Sequence, residues 1–139
     1  MLSIISVCHN RTGLPVRNAM AAMDEARKGV SYPVQILIVD QDSPPRVREF
    51  LKRLSRNLKC DFLPTHSPNG WNKSRALNEG ILAARHSRIL FCDIDCLVSP
   101  RLIRGIPRML STRHRVFYTA RWVWRLPKGG ERDRLGWRA

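Results

Sequence analysis

What most constrains the fold of this chain is a regular exchange, through its first hundred residues, of short apolar runs for stretches with helical spacing. Residues 3–8 (SIISVC) are apolar and rich in β-branched side chains, and His9, Asn10, Arg11, Thr12 and Gly13 follow as a loop, the pattern of a buried strand and its exit. Pro15 suits the first turn of a helix, Val16, Ala19, Met20 and Met23 recur at helical spacing, and Lys28-Gly29 supplies a basic last turn and a stop. Residues 34–39 (VQILIV) are a second strand, apolar enough to be covered on both faces, running into Asp40-Gln41-Asp42-Ser43-Pro44-Pro45. Val47, Phe50, Leu51 and Leu54 mark one face of a second helix, and Arg46, Arg48, Lys52, Arg53 and Arg56 read as its solvated face.

Residues 60–63 read as a brief third strand and 64–70 (PTHSPNG) as a turn. Asn72 is placed to cap a third helix through Ala76, Leu77, Ile81 and Ala84, which Gly80 weakens. Residues 89–92 (ILFC) read as a fourth buried strand, ending in Asp93-Ile94-Asp95. The β-α-β-α-β-α-β alternation predicts an α/β protein with a mostly parallel central sheet covered by helices. Ligands in such sheets bind beyond the carboxyl ends of the strands. Three polar clusters fall there: Cys8-His9-Asn10-Arg11, Asp40-Gln41-Asp42 and Asp93-Ile94-Asp95. Beyond Pro100 the pattern loosens, with a short helix strained or broken near Gly105 and Pro107 and an aromatic, β-prone stretch at 116–124.

A length of 139 residues allows one core. The net charge of +14 favours anionic partners. It is uneven: residues 1–100 carry 14 basic and 9 acidic side chains, residues 101–139 carry 11 and 2. No apolar run approaches the roughly 18 residues of a membrane span, and the first residues lack a basic leader, so a soluble, cytoplasmic chain is expected. Cys8, Cys60, Cys92 and Cys96 form no C-x-x-C pair and read as reduced structural thiols rather than zinc ligands. Neither G-x-G-x-x-G nor G-x-x-x-x-G-K-[ST] is present, so a nucleotide would be held by other means. His66 and His86 read as turn and helix-end residues.

Asp93-Ile94-Asp95 at a strand end offers hard oxygen ligands for Mg²⁺ or Mn²⁺, which take one or two carboxylates plus substrate phosphates. A capping pair for the following helix is the alternative reading. The stretch 71–80 (WNKSRALNEG) followed by 88–95 (RILFCDID) resembles the donor-binding core of GT-A glycosyltransferases, both the family 2 enzymes and the animal β-galactosyltransferases. Residues 5–11 (ISVCHNR) resemble that family's first strand and nucleotide loop, and 39–43 (VDQDS) its Val-Asp-Asp-Gly-Ser segment. Four landmarks in order, over roughly residues 3–100, are more specific than any one of them.

The resemblance implies a GT-A-like, Rossmann-type sandwich. Residues 1–100 would be its nucleotide-sugar-binding core, and 101–139 an abbreviated basic and aromatic segment of the same domain facing the acceptor. His9 and Arg11 would border the nucleotide, and Asp40 would contact the base or ribose of a UDP-sugar. Trp71, Lys73 and Arg75 would flank base and diphosphate, Asp93 would meet ribose or sugar, and Asp95 would bind Mn²⁺ or Mg²⁺. Residues 129–133 (GGERD) resemble the segment carrying the catalytic base in the galactosyltransferases, with Arg132 in place of its second acid, which points to Glu131 or Asp133. His114 is the candidate late metal ligand. Phe117, Tyr118, Trp122 and Trp124 would pack on the sheet, mediate self-association or stack on sugar.

The leading expectation is therefore a metal-dependent, inverting glycosyltransferase moving a sugar from a UDP-sugar to a hydroxyl acceptor, with an anionic acceptor among the partners the charge allows. A homo-oligomer is compatible with it. A non-catalytic or partner-dependent sugar-nucleotide-binding module is the second reading. A small basic nucleic-acid-binding protein is the third; it explains the charge but not the four landmarks.

Overall fold

Two strands shielded from water on both faces form the centre of the molecule, described by a computed structural model over residues 1–109. β1 (Leu2–Cys8) is buried at all seven positions and β2 (Val34–Gln41) at seven of eight. They pair in parallel, from Leu2 opposite Val34 to Cys8 opposite Asp40. β3 (Asp61–Thr65) pairs with β2 and β4 (Ile89–Phe91) with β1, also in parallel, giving the order β3-β2-β1-β4. Parallel neighbours need crossover connections. Here these contain α1 (Leu14–Lys28), α2 (Pro45–Asn57) and α3 (Lys73–Leu82), and α4 (Pro100–Met109) follows β4. None of the described helices is long and apolar enough to cross a membrane.

The two-residue period of the strands sorts their side chains between two layers. Leu2, Ile4, Ile36 and Ile38 join Met20 and Met23 of α1, Leu51 of α2 and Ile103 and Ile106 of α4 in the larger core. Ile5, Val7, Leu37 and Val39 turn to the other face, where Ala76 of α3 meets them. Each fully buried Ile, Leu or Met contributes about 1.5–3 kcal/mol, so the α1/α2/α4 layer carries most of the apolar stabilisation. The smaller layer is a close fit. A Cβ on Gly80 would lie 2.6 Å from Ile5 Cγ2 and 3.0 Å from Val39 Cγ2. The glycine expected to weaken α3 is what allows that helix to lie directly on the sheet.

Three expectations change. The third strand is displaced to Asp61–Thr65 and includes Pro64, tolerated because β3 is an edge strand among those described. The fourth stops at Phe91 and is half-buried to exposed rather than buried, because it pairs only with β1 among the described strands. The helix after Pro100 continues unbroken through Gly105 and Pro107. Proline removes the N–H that would serve the carbonyl four residues back, here that of Ile103, and the Tyr32 hydroxyl donates to that oxygen instead.

The sheet's amino-terminal edge is tied by a polar network on the α3 side. Gln35 Oε1 accepts from Ser3 Oγ at 2.6 Å and from the Arg85 N–H at 2.8 Å, while its Nε2 donates to Asp61 Oδ2 at 2.8 Å. Arg85 also pairs with Asp61, and the His86 N–H donates to Ser3 Oγ. The chain is thereby anchored between α3 and β4.

Candidate active site

Strand order places the site. From β1 the chain steps outward through β2 to β3, then returns by α3 to put β4 on the other side of β1. The point where direction reverses is where a crevice opens beyond the strand ends. The loop after β1 brings His9 and Arg11 there, and the segment after β4 brings Asp93 and Asp95. α3, packed on β1 and β2, presents its amino-terminal residues at the same edge.

Lys73 Nζ donates to Asp93 Oδ1 at 2.6 Å, joining the first residue of α3 to the segment after β4. The Asn72 side chain caps α3, accepting from the Arg75 N–H at 2.9 Å as its sequence position suggests. Trp71 stacks on His9, with ring centroids 5.1 Å apart and planes inclined by 19°. Trp71 remains 41% exposed, so its ring is only partly covered by this contact. His9 Nδ1 lies 2.8 Å from the Gln41 carbonyl oxygen. Arg75 is exposed and donates to Glu79 one turn along. Arg11 is exposed, and its carbonyl accepts from the Cys8 thiol.

Asp40 and Gln41 part company because adjacent strand residues face opposite ways. Asp40 lies on the α2 side, fully buried, with Oδ2 accepting from Arg48 Nε at 3.1 Å. Its Oδ1 has no hydrogen-bond partner among the described residues. Gln41 lies on the α3 side, also fully buried, and its Oε1 accepts from the Asn72 N–H at 2.7 Å. Its Nε2 is left without a hydrogen-bond partner among the described residues. Gln41 touches both His9 and the start of α3, yet sequence reasoning named only its neighbour Asp40. Its place inside a polar cluster at a strand end was the available signal.

The loop behind this arrangement is tied by Asp42, whose φ of 53° lies in the left-handed region that Asp tolerates. Its carboxylate accepts from the Ser67 N–H at 2.8 Å and meets His66 Nδ1 at 2.7 Å. These two contacts hold the Asp42 carboxyl below the usual carboxylate range. His66, assigned no part from sequence, thus links the segment before Trp71 to the end of β2. Burial pushes the Cys8 thiol up to about 11. A thiol shifted in this direction is held in its protonated form at neutral pH.

Asp95 is exposed and Asp93 half-buried. No group of three or more His, Cys, Asp or Glu side chains able to hold a metal occurs among the described residues. Two carboxylates just beyond a strand end are of the type that Mg²⁺ or Mn²⁺ takes, the remaining positions being commonly filled by water and substrate phosphates. His114, Glu131, Asp133 and the aromatic residues of 116–124 lie outside the described residues.

The sequence model of glycosyl transferase family 2 matches residues 3–136. The chain belongs to that family. No curated protein sequence matches it. Among solved structures it is similar to the mannosyltransferase PcManGT from Pyrobaculum calidifontis, in complex with GDP-Man and Mn²⁺, at 15% identity and a TM-score of 0.62. That likeness covers 81% of this chain and 32% of the other. Residues 1–349 of S. aureus TarS are similar at 15% identity and a TM-score of 0.55, over 78% of this chain and 32% of that one. The same protein in complex with UDP-GlcNAc has a TM-score of 0.53, again at 15% identity, over 78% and 30% of the two chains. These likenesses show the fold: the GT-A arrangement, all parallel among the described strands. The chain spans about a third of the length of these structures.

Proposed function

We propose that this family 2 chain transfers a sugar from a nucleoside diphosphate sugar, UDP-based, to a hydroxyl acceptor, with inversion and with Mn²⁺ or Mg²⁺. The observation that carries this reading is the meeting of Lys73 with Asp93, two residues before exposed Asp95, at the β1/β4 reversal beside the His9–Trp71 stack. Complexes of similar folds with UDP-GlcNAc and with GDP-Man and Mn²⁺ support it.

In this reading Trp71, with His9 beneath it, offers a flat apolar surface to the base. Gln41 Nε2 and Asp40 Oδ1, both lacking partners among the described residues, supply the polar capacity for base or ribose. Lys73, Arg75 and Arg11 place positive charge where the departing diphosphate gains negative charge. Asp93 meets ribose or sugar and holds Lys73 in place. Asp95, with His114 as further ligand, would hold the divalent ion, which neutralises the diphosphate as it leaves. The acceptor oxygen attacks the anomeric carbon, the bond from that carbon to the diphosphate oxygen breaks, and Glu131 or Asp133 takes the acceptor's proton. Residues 1–100 would be the donor half and 101–139 the acceptor-facing half. The basic excess of the latter suits an anionic acceptor.

Calorimetric titration of UDP with and without Mn²⁺, repeated on Asp95→Ala, tests the assignment. Binding that needs both metal and Asp95 is expected. Metal-independent binding equal in both proteins would overturn the metal assignment, and absence of binding would overturn the donor site. Binding without turnover over an acceptor panel would favour the partner-dependent module, given that the chain spans a third of its structural relatives.

A further inference from the structure

The charge run of α2, expected to be a solvated face, is divided by the fold. Arg48 is spent on Asp40 and Arg56 on Glu49. Arg46 and Arg53 remain exposed, as does Arg17 across from them on α1. None of these three pairs with an acidic side chain among the described residues. They line two adjoining clefts of about 460 and 400 Å³ that share Arg17 and Phe50 and run between the two helices. Val47, Phe50 and Leu54 supply the apolar lining. Leu14 begins α1 beside Gly13, which lines the first cleft, and is 48% exposed.

We propose that this α1–α2 groove is a docking surface for an anionic lipid bilayer. Three guanidinium groups that meet no acidic side chain among the described residues complement headgroup phosphates, each able to donate in a fork. The arginine stems, Phe50 and the exposed Leu14 give apolar surface to the headgroup boundary, the combination that interfacial binding uses. A single-stranded nucleic acid would seek open aromatic faces for stacking. The Phe50 ring offers less of one, since the Arg17 guanidinium lies over it at 5.4 Å from the centroid. The groove shares no residue with the candidate active site, so the surface stands independently of the reaction proposed above. Its effect would be to hold the site next to an acceptor carried in or on that bilayer.

Co-sedimentation of the full chain with vesicles of phosphatidylcholine alone, and of phosphatidylcholine with phosphatidylglycerol, is the test. Binding is expected only with phosphatidylglycerol, and is expected to weaken as salt rises. Arg17→Glu/Arg46→Glu/Arg53→Glu should lower the partition coefficient by on the order of a hundredfold, from the attraction that each basic side chain makes to an anionic surface. Arg88→Glu/Arg101→Glu/Arg104→Glu changes net charge equally at exposed positions that do not line the groove, and should lower it by less than about tenfold. Leu14→Ser leaves charge unchanged and should weaken binding several-fold, which keeps the proposal testable if a triple variant fails to fold by circular dichroism. Equal losses in the two triple variants would show general charge attraction and overturn the proposal. So would absence of binding to acidic vesicles, or a groove-dependent preference for a single-stranded oligonucleotide over them.

Discussion

Two glutamines on one face of β2, six residues apart, mark opposite ends of the sheet and differ in how fully their hydrogen bonds are met. Gln35, at the amino-terminal edge, accepts from Ser3 and the Arg85 N–H and donates to Asp61. Gln41, at the carboxyl-terminal edge, accepts from the Asn72 N–H, and its Nε2 finds no hydrogen-bond partner among the described residues. Both are buried on the α3 side. A buried amide normally has its hydrogen bonds met within the protein, because an unmet one costs about 1–3 kcal/mol. The saturated end ties the fold together, whereas the end with capacity left over is, in the function proposed above, where the nucleotide completes the set.

The contrast can be broken most forcefully at Gln35. Gln35→Ala should lower unfolding free energy by about 3 kcal/mol in urea titration, since several buried partners lose their bonds at once. UDP affinity measured on the remaining folded protein should not change. A loss of affinity without a loss of stability would reverse the roles assigned to the two ends. Next in size is Gly80→Val, which forces α3 off Ile5 and Val39. Overpacking should cost about 2 kcal/mol, and because α3 carries Asn72 and Lys73, UDP binding should fall with it.

Gln41→Ala sharpens the contrast from the other side. It should cost less than about 1 kcal/mol of stability, since one hydrogen bond to the Asn72 N–H is removed. UDP affinity should weaken by about tenfold, a bond made only with ligand. Equal effects on stability from Gln35→Ala and Gln41→Ala would dissolve the distinction.

The smallest effect concerns pH. The Asp42 carboxyl is depressed by His66 and the Ser67 N–H. Its stabilisation of the folded state is therefore complete above the ordinary value of 3.8 and is lost as pH falls through the lower folded value. The melting temperature of the wild type should thus exceed that of Asp42→Asn slightly at neutral pH, and the gap should close below pH 3.8. A gap that widened on acidification would show that the Asp42 contacts oppose folding.

Much of the fold was legible because its signals are local. Residues 3–8 and 34–39 are mostly apolar, Pro15 and Gly29 bracket α1, and Asn72 caps α3, each a choice made within a few residues of chain. The edge strands were read less well. β3 and β4 are only partly covered, so their burial does not enforce an apolar pattern, and Pro64 is tolerated at an edge. Pro107 misled for a different reason: the hydroxyl that serves the Ile103 carbonyl comes from Tyr32, seventy-one residues earlier. At the site, Trp71, Lys73, Asp93 and His9 were each visible as residues. The pairings Lys73–Asp93 and His9–Trp71 join segments about 20 to 60 positions apart and are properties of the fold.

By itself the sequence determined the alternation of strands and helices, the polar strand ends, and through its ordered motifs the family. Those follow from periodicity, capping and composition within short windows, where the chain's own geometry leaves few alternatives. Only the tertiary structure decided that β4 returns beside β1, that Gly80 lets α3 lie on the sheet, and that Asp40 turns to Arg48 while Gln41 turns to Asn72. A two-residue period says that neighbours face opposite ways. Which helix waits on each side is settled by packing between segments distant in the chain.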